Sequence, residues 1–205
     1  MRLFVGIPLA DAVVHEITAL VRCLRAGESG QSGRRWTAPE SWHITLQFLG
    51  NTTAQQFECL TARLTEVRCA AIPVELGVVG VFDRAGVLFV EVVVAPELSE
   101  LQQRVTAATS RCGFVAETRP FHPHITLARK TGNKGQRDRG NRKADLPAWE
   151  VGAARGKTLS ELVARAGQAP PFTRFTAREY VLYESHLGRE GARYEVRERF
   201  SLHDP

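Results

Sequence analysis

Two kinds of residue, each present twice at the same spacing, carry the chemistry this sequence can do. His43-Ile44-Thr45-Leu46 and His124-Ile125-Thr126-Leu127 are identical tetrapeptides. In an extended strand, residues i and i+2 lie about 6.5 Å apart on one side, so each His projects together with its Thr. Two such strands brought side by side set a pair of imidazoles and a pair of hydroxyls about one point. A phosphate fits that point. The hydroxyls donate to its nonbridging oxygens, one imidazole takes a proton from an attacking water, and the other gives one to the departing oxygen. Histidine suits both parts because its ordinary pKa, about 6.5, leaves either form accessible near neutral pH. Proton transfers of this kind contribute about 10²–10⁴-fold. Spacing does not choose which His is donor and which is acceptor.

The neighbouring residues extend or limit this reading. His122 precedes His124 by two and suggests a metal pair, but no Cys or acidic cluster accompanies it, so neither a metal nor a cofactor is expected. Strict alternation puts Arg129 on the face opposite His124. A twist at the strand end would turn its guanidinium towards the phosphate, with a salt bridge or a solvated position as the equal alternative. Trp36, Trp42 and Phe48 are candidate base-stacking residues, although alternation turns Trp42 and Phe48 away from the histidines and into the core. Gly156-Lys157-Thr158 echoes the end of a phosphate-binding loop, but Val151 stands where that loop needs its first glycine, and the motif is rejected. His15, His186 and His203 read as surface residues.

The elements that must position these groups emerge from periodicity. Leu3 to Ile7 reads as a buried strand. Asp11 is placed to cap a helix whose stripe is Val14, Ile17, Val21 and Leu24. Residues 26–35 read as a loop from their Gly and Ser content. From Trp42 to Gly50, apolar and polar residues alternate, with His43, Thr45 and Gln47 on the polar side. Thr53 and Gln56 form a capping box ahead of a helix with Phe57, Leu60, Leu64 and Val67 on one face. Val74 to Phe82 and Val87 to Val94 form a hairpin pattern about Asp83-Arg84-Ala85-Gly86. A helix spans about Glu97 to Cys112 and ends at Gly113. The second alternating strand is Pro123 to Arg129. A short helix over Ser160 to Arg165 and closing strands over Phe175 to Tyr183 and Tyr194 to Phe200 complete the chain. Strands mixed irregularly with helices indicate an α+β fold, mainly antiparallel.

Composition bounds the class. The chain has 205 residues, 43% hydrophobic and 24% charged, which excludes a disordered polymer, a collagen-like fibre and a coiled coil. No apolar run reaches the roughly 18 residues of a membrane span. The apolar start, Leu3 to Ala10, is short for a secretion signal and contains Pro8. The net charge of +5 favours an anionic partner, and Lys130, Lys134, Arg137, Arg139, Arg142 and Lys143 crowd one Gly-rich stretch. That run reads as an electrostatic funnel for an RNA backbone or, equally, as a solvated loop. Cys23, Cys59, Cys69 and Cys112 show no metal or CxxC spacing, and a reduced, cytoplasmic protein is expected.

In their contexts the two motifs carry a family resemblance. Trp42-His43-Ile44-Thr45-Leu46-Gln47-Phe48-Leu49-Gly50 and Phe121-His122-Pro123-His124-Ile125-Thr126-Leu127-Ala128-Arg129 resemble the paired His-x-Thr motifs of the two-histidine phosphoesterases. Arg2-Leu3-Phe4-Val5-Gly6-Ile7, Leu182-Tyr183-Glu184-Ser185 and Gly191-Ala192-Arg193-Tyr194 resemble the RNA 2′,3′-cyclic phosphodiesterase branch, also called LigT-like or 2′-5′ RNA ligase-like. The resemblance implies one bilobal α+β domain over residues 1–205, with two pseudo-symmetric antiparallel sheets, helices outside and a central cleft. The basic stretch at about 131–171 is an insertion relative to the family. It implies metal-independent hydrolysis of an RNA or nucleotide 2′,3′-cyclic phosphate to a 2′-phosphomonoester by a cytoplasmic monomer. His43 would be the proton donor, His124 the proton acceptor, and Thr45 and Thr126 the phosphate-binding hydroxyls, with Arg129 beside them. The competing expectations are a non-catalytic module that binds RNA ends, and 2′-5′ RNA joining as the reverse reaction.

Overall fold

The structure, a computed structural model, describes residues 1–26, 33–131, 158–167, 171–188 and 191–202. Strand β1 (Arg2–Pro8) is buried without a break from Leu3 to Ile7, so it lies inside a sheet. Its neighbours are β3 (His43–Asn51), on the sheet edge, and β9 (Glu179–Gly188), which pairs in turn with β10 (Gly191–Ser201). The second sheet runs β2-β7-β6-β5: β2 (Arg34–Trp36), β7 (His124–Lys130), β6 (Val87–Val92) and β5 (Leu76–Phe82). Every pairing in both sheets is antiparallel. A ribbon of β4 (Ile72–Val74) and β8 (Phe175–Ala177) completes the strands. The motif strands β3 and β7 therefore belong to different sheets.

The helices match the apolar stripes. Helix α1 (Asp11–Arg25) buries Val13, Ile17, Leu20, Val21 and Leu24. Its N-cap is Ala10 and not Asp11. The carboxylate enters the first turn, where it meets the positive end of the helix dipole without capping an N–H. Helix α2 (Ala54–Thr65) starts on the Thr53–Gln56 capping box that the spacing anticipates. Helix α3 (Pro96–Ser110) buries Leu98, Leu101, Val105 and Ala108, and Gly113, at φ +86°, comes just after its end. Helix α4 (Leu159–Ala166) begins on a capping box of Thr158 and Glu161, which gives the rejected phosphate-loop threonine its structural purpose. Arg165 of α4 donates to the carbonyl oxygens of Cys23 and Ala26 at the end of α1. These helices and both sheets share one apolar core, in which Ile44 and Leu46 of β3 lie in the same cluster as Ile125 and Leu127 of β7. Each fully buried aliphatic side chain there contributes about 1.5–3 kcal/mol. The core is the platform that fixes the motif strands relative to one another.

Two sequence expectations change. Cys59 of α2 and Cys112, just beyond α3, form a disulfide, while Cys23 and Cys69 are free thiols. The expectation of unpaired cysteines therefore fails for one pair, because helix packing joins residues whose spacing carries no signal. The chain-entropy value of closing a loop with a sequence separation of 53 is about 4 kcal/mol. The last two residues of the stretch read as loop over 26–35, Arg34 and Arg35, begin strand β2, which a three-residue edge pairing on β7 creates. Most of the basic stretch at about 131–171, residues 132–157 and 168–170, lies outside the described residues, as does His203. Among the described residues no helix is long and apolar enough to cross a membrane.

Candidate active site

His43 opens β3 and His124 opens β7, so each imidazole stands at the start of a strand rather than in its middle. The local geometry of the two is the same. His43 Nδ1–H donates to the carbonyl of Ser41 at 2.9 Å, and His124 Nδ1–H donates to the carbonyl of His122 at 2.8 Å. A carbonyl oxygen only accepts, so both contacts place the proton on Nδ1 and leave Nε2 as the reactive atom. At His43 that Nε2 faces the Thr45 hydroxyl at 3.1 Å. At the second motif the Thr126 hydroxyl accepts instead from Arg129 Nη2, at 3.3 Å.

Aromatic rings hold both imidazoles. Phe4, Tyr194 and Tyr183 surround His43, with centroids 4.6, 5.0 and 5.8 Å away. Phe82 and Phe89 meet His124 edge-on at 5.1 and 5.4 Å. A missing side chain makes room in each sheet. Gly6 pairs with Thr45, and a Cβ there would lie 2.9 Å from the Ile44 carbonyl oxygen and 3.3 Å from His43 Cδ2. Gly80 pairs with Phe89, and a Cβ there would fall 2.7 Å from the phenyl ring that backs His124.

Burial is the main cause that lowers the His43 pKa, to about 4. The Ser41 carbonyl opposes the shift, while the charges of His124 and Arg129 add to it. Those two contributions show that the second motif stands close to the first. His124 is also lowered, chiefly by burial, then by the charges of His122 and Arg129, against the His122 carbonyl, which raises it. In the empty site near neutral pH both imidazoles are therefore neutral. Burial raises the Tyr183 phenol to about 12 and raises Tyr194 as well, so both rings are neutral walls.

The faces of three residues depart from strict alternation, and β-bulges are the cause. Between β1 and β3 the register slips at Val5/Gly6 and at Leu3/Phe4. A bulge adds a residue to one strand and reverses the face of the residues beyond it. Gln47 consequently leaves the His43 side. It is 4% exposed, and its Oε1 accepts from the Thr109 hydroxyl of α3 at 2.8 Å. Phe48 turns the other way, out of the core. It is 57% exposed, with its ring 6.0 Å from that of Phe4. Trp42 does point into the core, and half-buried Trp36 packs against it. In β7 the register slips at Leu88/Phe89 and brings Arg129 onto the face of His124 and Thr126, where alternation alone does not put it.

A cavity of about 810 Å³ adjoins the histidines and is walled by both sheets: Phe4, Phe48 and Tyr194 from the first, Arg35 and Arg129 from the second. Neither histidine is part of the lining; His43 packs against the lining rings of Phe4 and Tyr194, and on the second strand Thr126 accepts from the lining residue Arg129. Among the described residues no three His, Cys, Asp or Glu side chains gather as a metal site would need. His15 is exposed, and exposed His186 lies 3.3 Å from Glu195.

Two antiparallel sheets, each contributing a His-x-Thr strand with Nε2 left reactive, define the class as that of the two-histidine phosphoesterases. The sequence profile of the 2′-5′ RNA ligase superfamily matches residues 10–186, and the chain belongs to that superfamily. The RNA 2′,3′-cyclic phosphodiesterase of Bacillus subtilis is 32% identical over 138 residues, 64% of this chain and 73% of that protein. The RNA 2′,3′-cyclic phosphodiesterase of Archaeoglobus fulgidus is 30% identical over 132 residues, 63% of this chain and 72% of that protein. The crystal structure of Escherichia coli LigT in apo form superposes with a TM-score of 0.69 at 24% identity, covering 98% of this chain and 96% of LigT.

Proposed function

We propose that this protein hydrolyses a terminal 2′,3′-cyclic phosphate of RNA, or of a nucleotide, to a 2′-phosphomonoester without a metal. Water attacks phosphorus opposite the 3′ oxygen and gives its proton to His124 Nε2. The phosphorus–O3′ bond breaks, and His43 Nε2–H delivers its proton to the leaving oxygen. The hydroxyls of Thr45 and Thr126 and the guanidinium of Arg129 hold the nonbridging oxygens. Exposure supports this division of roles. His124 is the less enclosed imidazole, open to a water, whereas the ring cage about His43 suits a donor to the leaving group. A bound phosphate anion raises the pKa of both imidazoles and offsets the depression seen in the empty site.

The observation that carries this reading is the matched pair of Nδ1–H···O=C contacts, which aim both Nε2 atoms as a donor and acceptor pair. The activity for which the relatives are named and the LigT structure solved with 3′-AMP support the substrate class. The site is assembled within one chain, consistent with a monomer. We read the protein as cytoplasmic from its RNA substrate class; there the Cys59–Cys112 pair would meet a reducing pool. Joining of 2′-5′ ends would use the same proton relay with a 5′-hydroxyl in place of the attacking water, and hydrolysis prevails in water.

The test is product identity. A cyclic-ended oligoribonucleotide incubated with the protein in excess EDTA should yield a 2′-phosphate end. A 3′-phosphate product, or an unaltered end with a fully bound substrate, would overturn the proposal, the latter in favour of an end-binding module.

A further inference from the structure

The wall of the cavity carries a like-charge pair of which the hydrolytic step uses only one member. Arg35 of the edge strand β2 pairs directly with Arg129 of β7. Opposed residues of an antiparallel pair project to one face, about 4.5–5.5 Å apart at Cα, and like charges so placed repel each other. The backbone holds them there: Thr37 N–H donates to the Leu127 carbonyl at 2.8 Å and Thr131 N–H to the Gly33 carbonyl at 2.9 Å. Arg2 and Lys130 add to the same lining, in which none of the described residues is Asp or Glu. Among the described residues no carboxylate meets any of these four cations. Elsewhere such pairing is available, since Arg197 meets Glu184 and Arg199 meets Glu179 on the β9–β10 ribbon.

Geometry orders the two arginines. Arg129 reaches back to Thr126, whereas Arg35 lies one strand further out, about 4.8 Å from β7. The cavity of about 810 Å³ sits near the top of the range of roughly 300–1,000 Å³ for small-ligand sites. A cyclic phosphate alone does not fill it. Exposed Phe48 offers an apolar floor between the two sheets.

We propose that Arg35 forms a second phosphate subsite, which takes the phosphate on the 5′ side of the terminal nucleotide while Arg129 serves the cyclic one. This rests on the cyclic phosphodiesterase reading, and it makes the preferred substrate a strand end rather than a free cyclic nucleotide. The experiment compares kcat/KM for a 2′,3′-cyclic mononucleotide, its 5′-phosphorylated form and a cyclic-ended dinucleotide. It is run on the parent protein, Arg35→Gln and Arg35→Lys. The parent is expected to favour both substrates that carry the upstream phosphate. Arg35→Gln should cut that preference about tenfold or more, and Arg35→Lys should restore part of it. The salt dependence with the dinucleotide should shrink by about 0.7 in log–log slope for the lost contact. A requirement for the dinucleotide, with no gain from 5′-phosphate alone, would assign the subsite to the upstream nucleoside and overturn the phosphate claim. Equal preference in parent and Arg35→Gln would overturn it too, while leaving hydrolysis standing. Failure of the parent on all three substrates would remove the hydrolase reading itself.

Discussion

The two four-stranded sheets share a backbone plan and differ in what they do with it. Both begin a strand on His, pin Nδ1 to the carbonyl two residues earlier, and bulge soon after the Thr. The fifth residue after each His is therefore turned to the site, but it is Phe48 in one sheet and Arg129 in the other. The first sheet surrounds its His with the rings of Phe4, Tyr183 and Tyr194. The second backs its His with phenylalanines, adds His122, and sets Arg129 on the Thr hydroxyl. A symmetric scaffold thus holds an asymmetric electrostatic site, as a reaction with one donor and one acceptor requires.

The strongest way to break this comparison is to remove each imidazole in turn. His43→Ala and His124→Ala should each cost at least about 10²–10⁴-fold in kcat on a cyclic-ended RNA. A substrate with sulfur at the 3′ position separates them, because a thiolate leaves without a proton far more readily than an alkoxide. On it His43→Ala should recover most of its rate and His124→Ala should not. Equal recovery would abolish the assigned division of labour.

A smaller effect lies in the pH profile. Both imidazoles are depressed in the free protein, His43 to about 4 and His124 to below its ordinary 6.5. The pair must hold one proton to act, and it loses that proton as pH rises through the higher of the two values. The bell of kcat/KM against pH should therefore have its alkaline limb below 6.5. That of kcat, which reports the substrate-bound site, should be displaced upward by the phosphate charge. An alkaline limb of kcat/KM above pH 7 would show that the burial of His43 does not govern the free site.

The smallest effect is on stability. Between pH 6.5 and about 4 the unfolded chain protonates His43 while the folded chain keeps it neutral. Stability must then rise with pH across that window and be lost as pH falls through it, by at most about 3 kcal/mol. Denaturant titrations of the parent and His43→Gln should differ in this slope, the variant being flatter. The more open His124 gives a weaker change in the corresponding variant, and identical slopes for both would remove the claimed difference in burial.

Much of this protein was legible before any coordinates. The alternation around His43 and His124, the Thr53–Gln56 capping box, the α3 stripe and the closing strands are local patterns, and local sterics and hydrogen bonding enforce them. Composition and two repeated tetrapeptides were enough to point at a two-fold phosphate site. Alternation fails as a guide past a bulge, because a bulge arises from the register between strands distant in sequence. The faces of Gln47, Phe48 and Arg129 were therefore set by β1 and β6 and not by their own neighbours. The same holds for the Cys59–Cys112 disulfide, for β2, and for the Arg35–Arg129 pair. Sequence by itself named the candidate reacting groups, since their chemistry belongs to single side chains. Only the tertiary structure decided which groups share a face, because pairing, register and burial are properties of segments brought together from far along the chain.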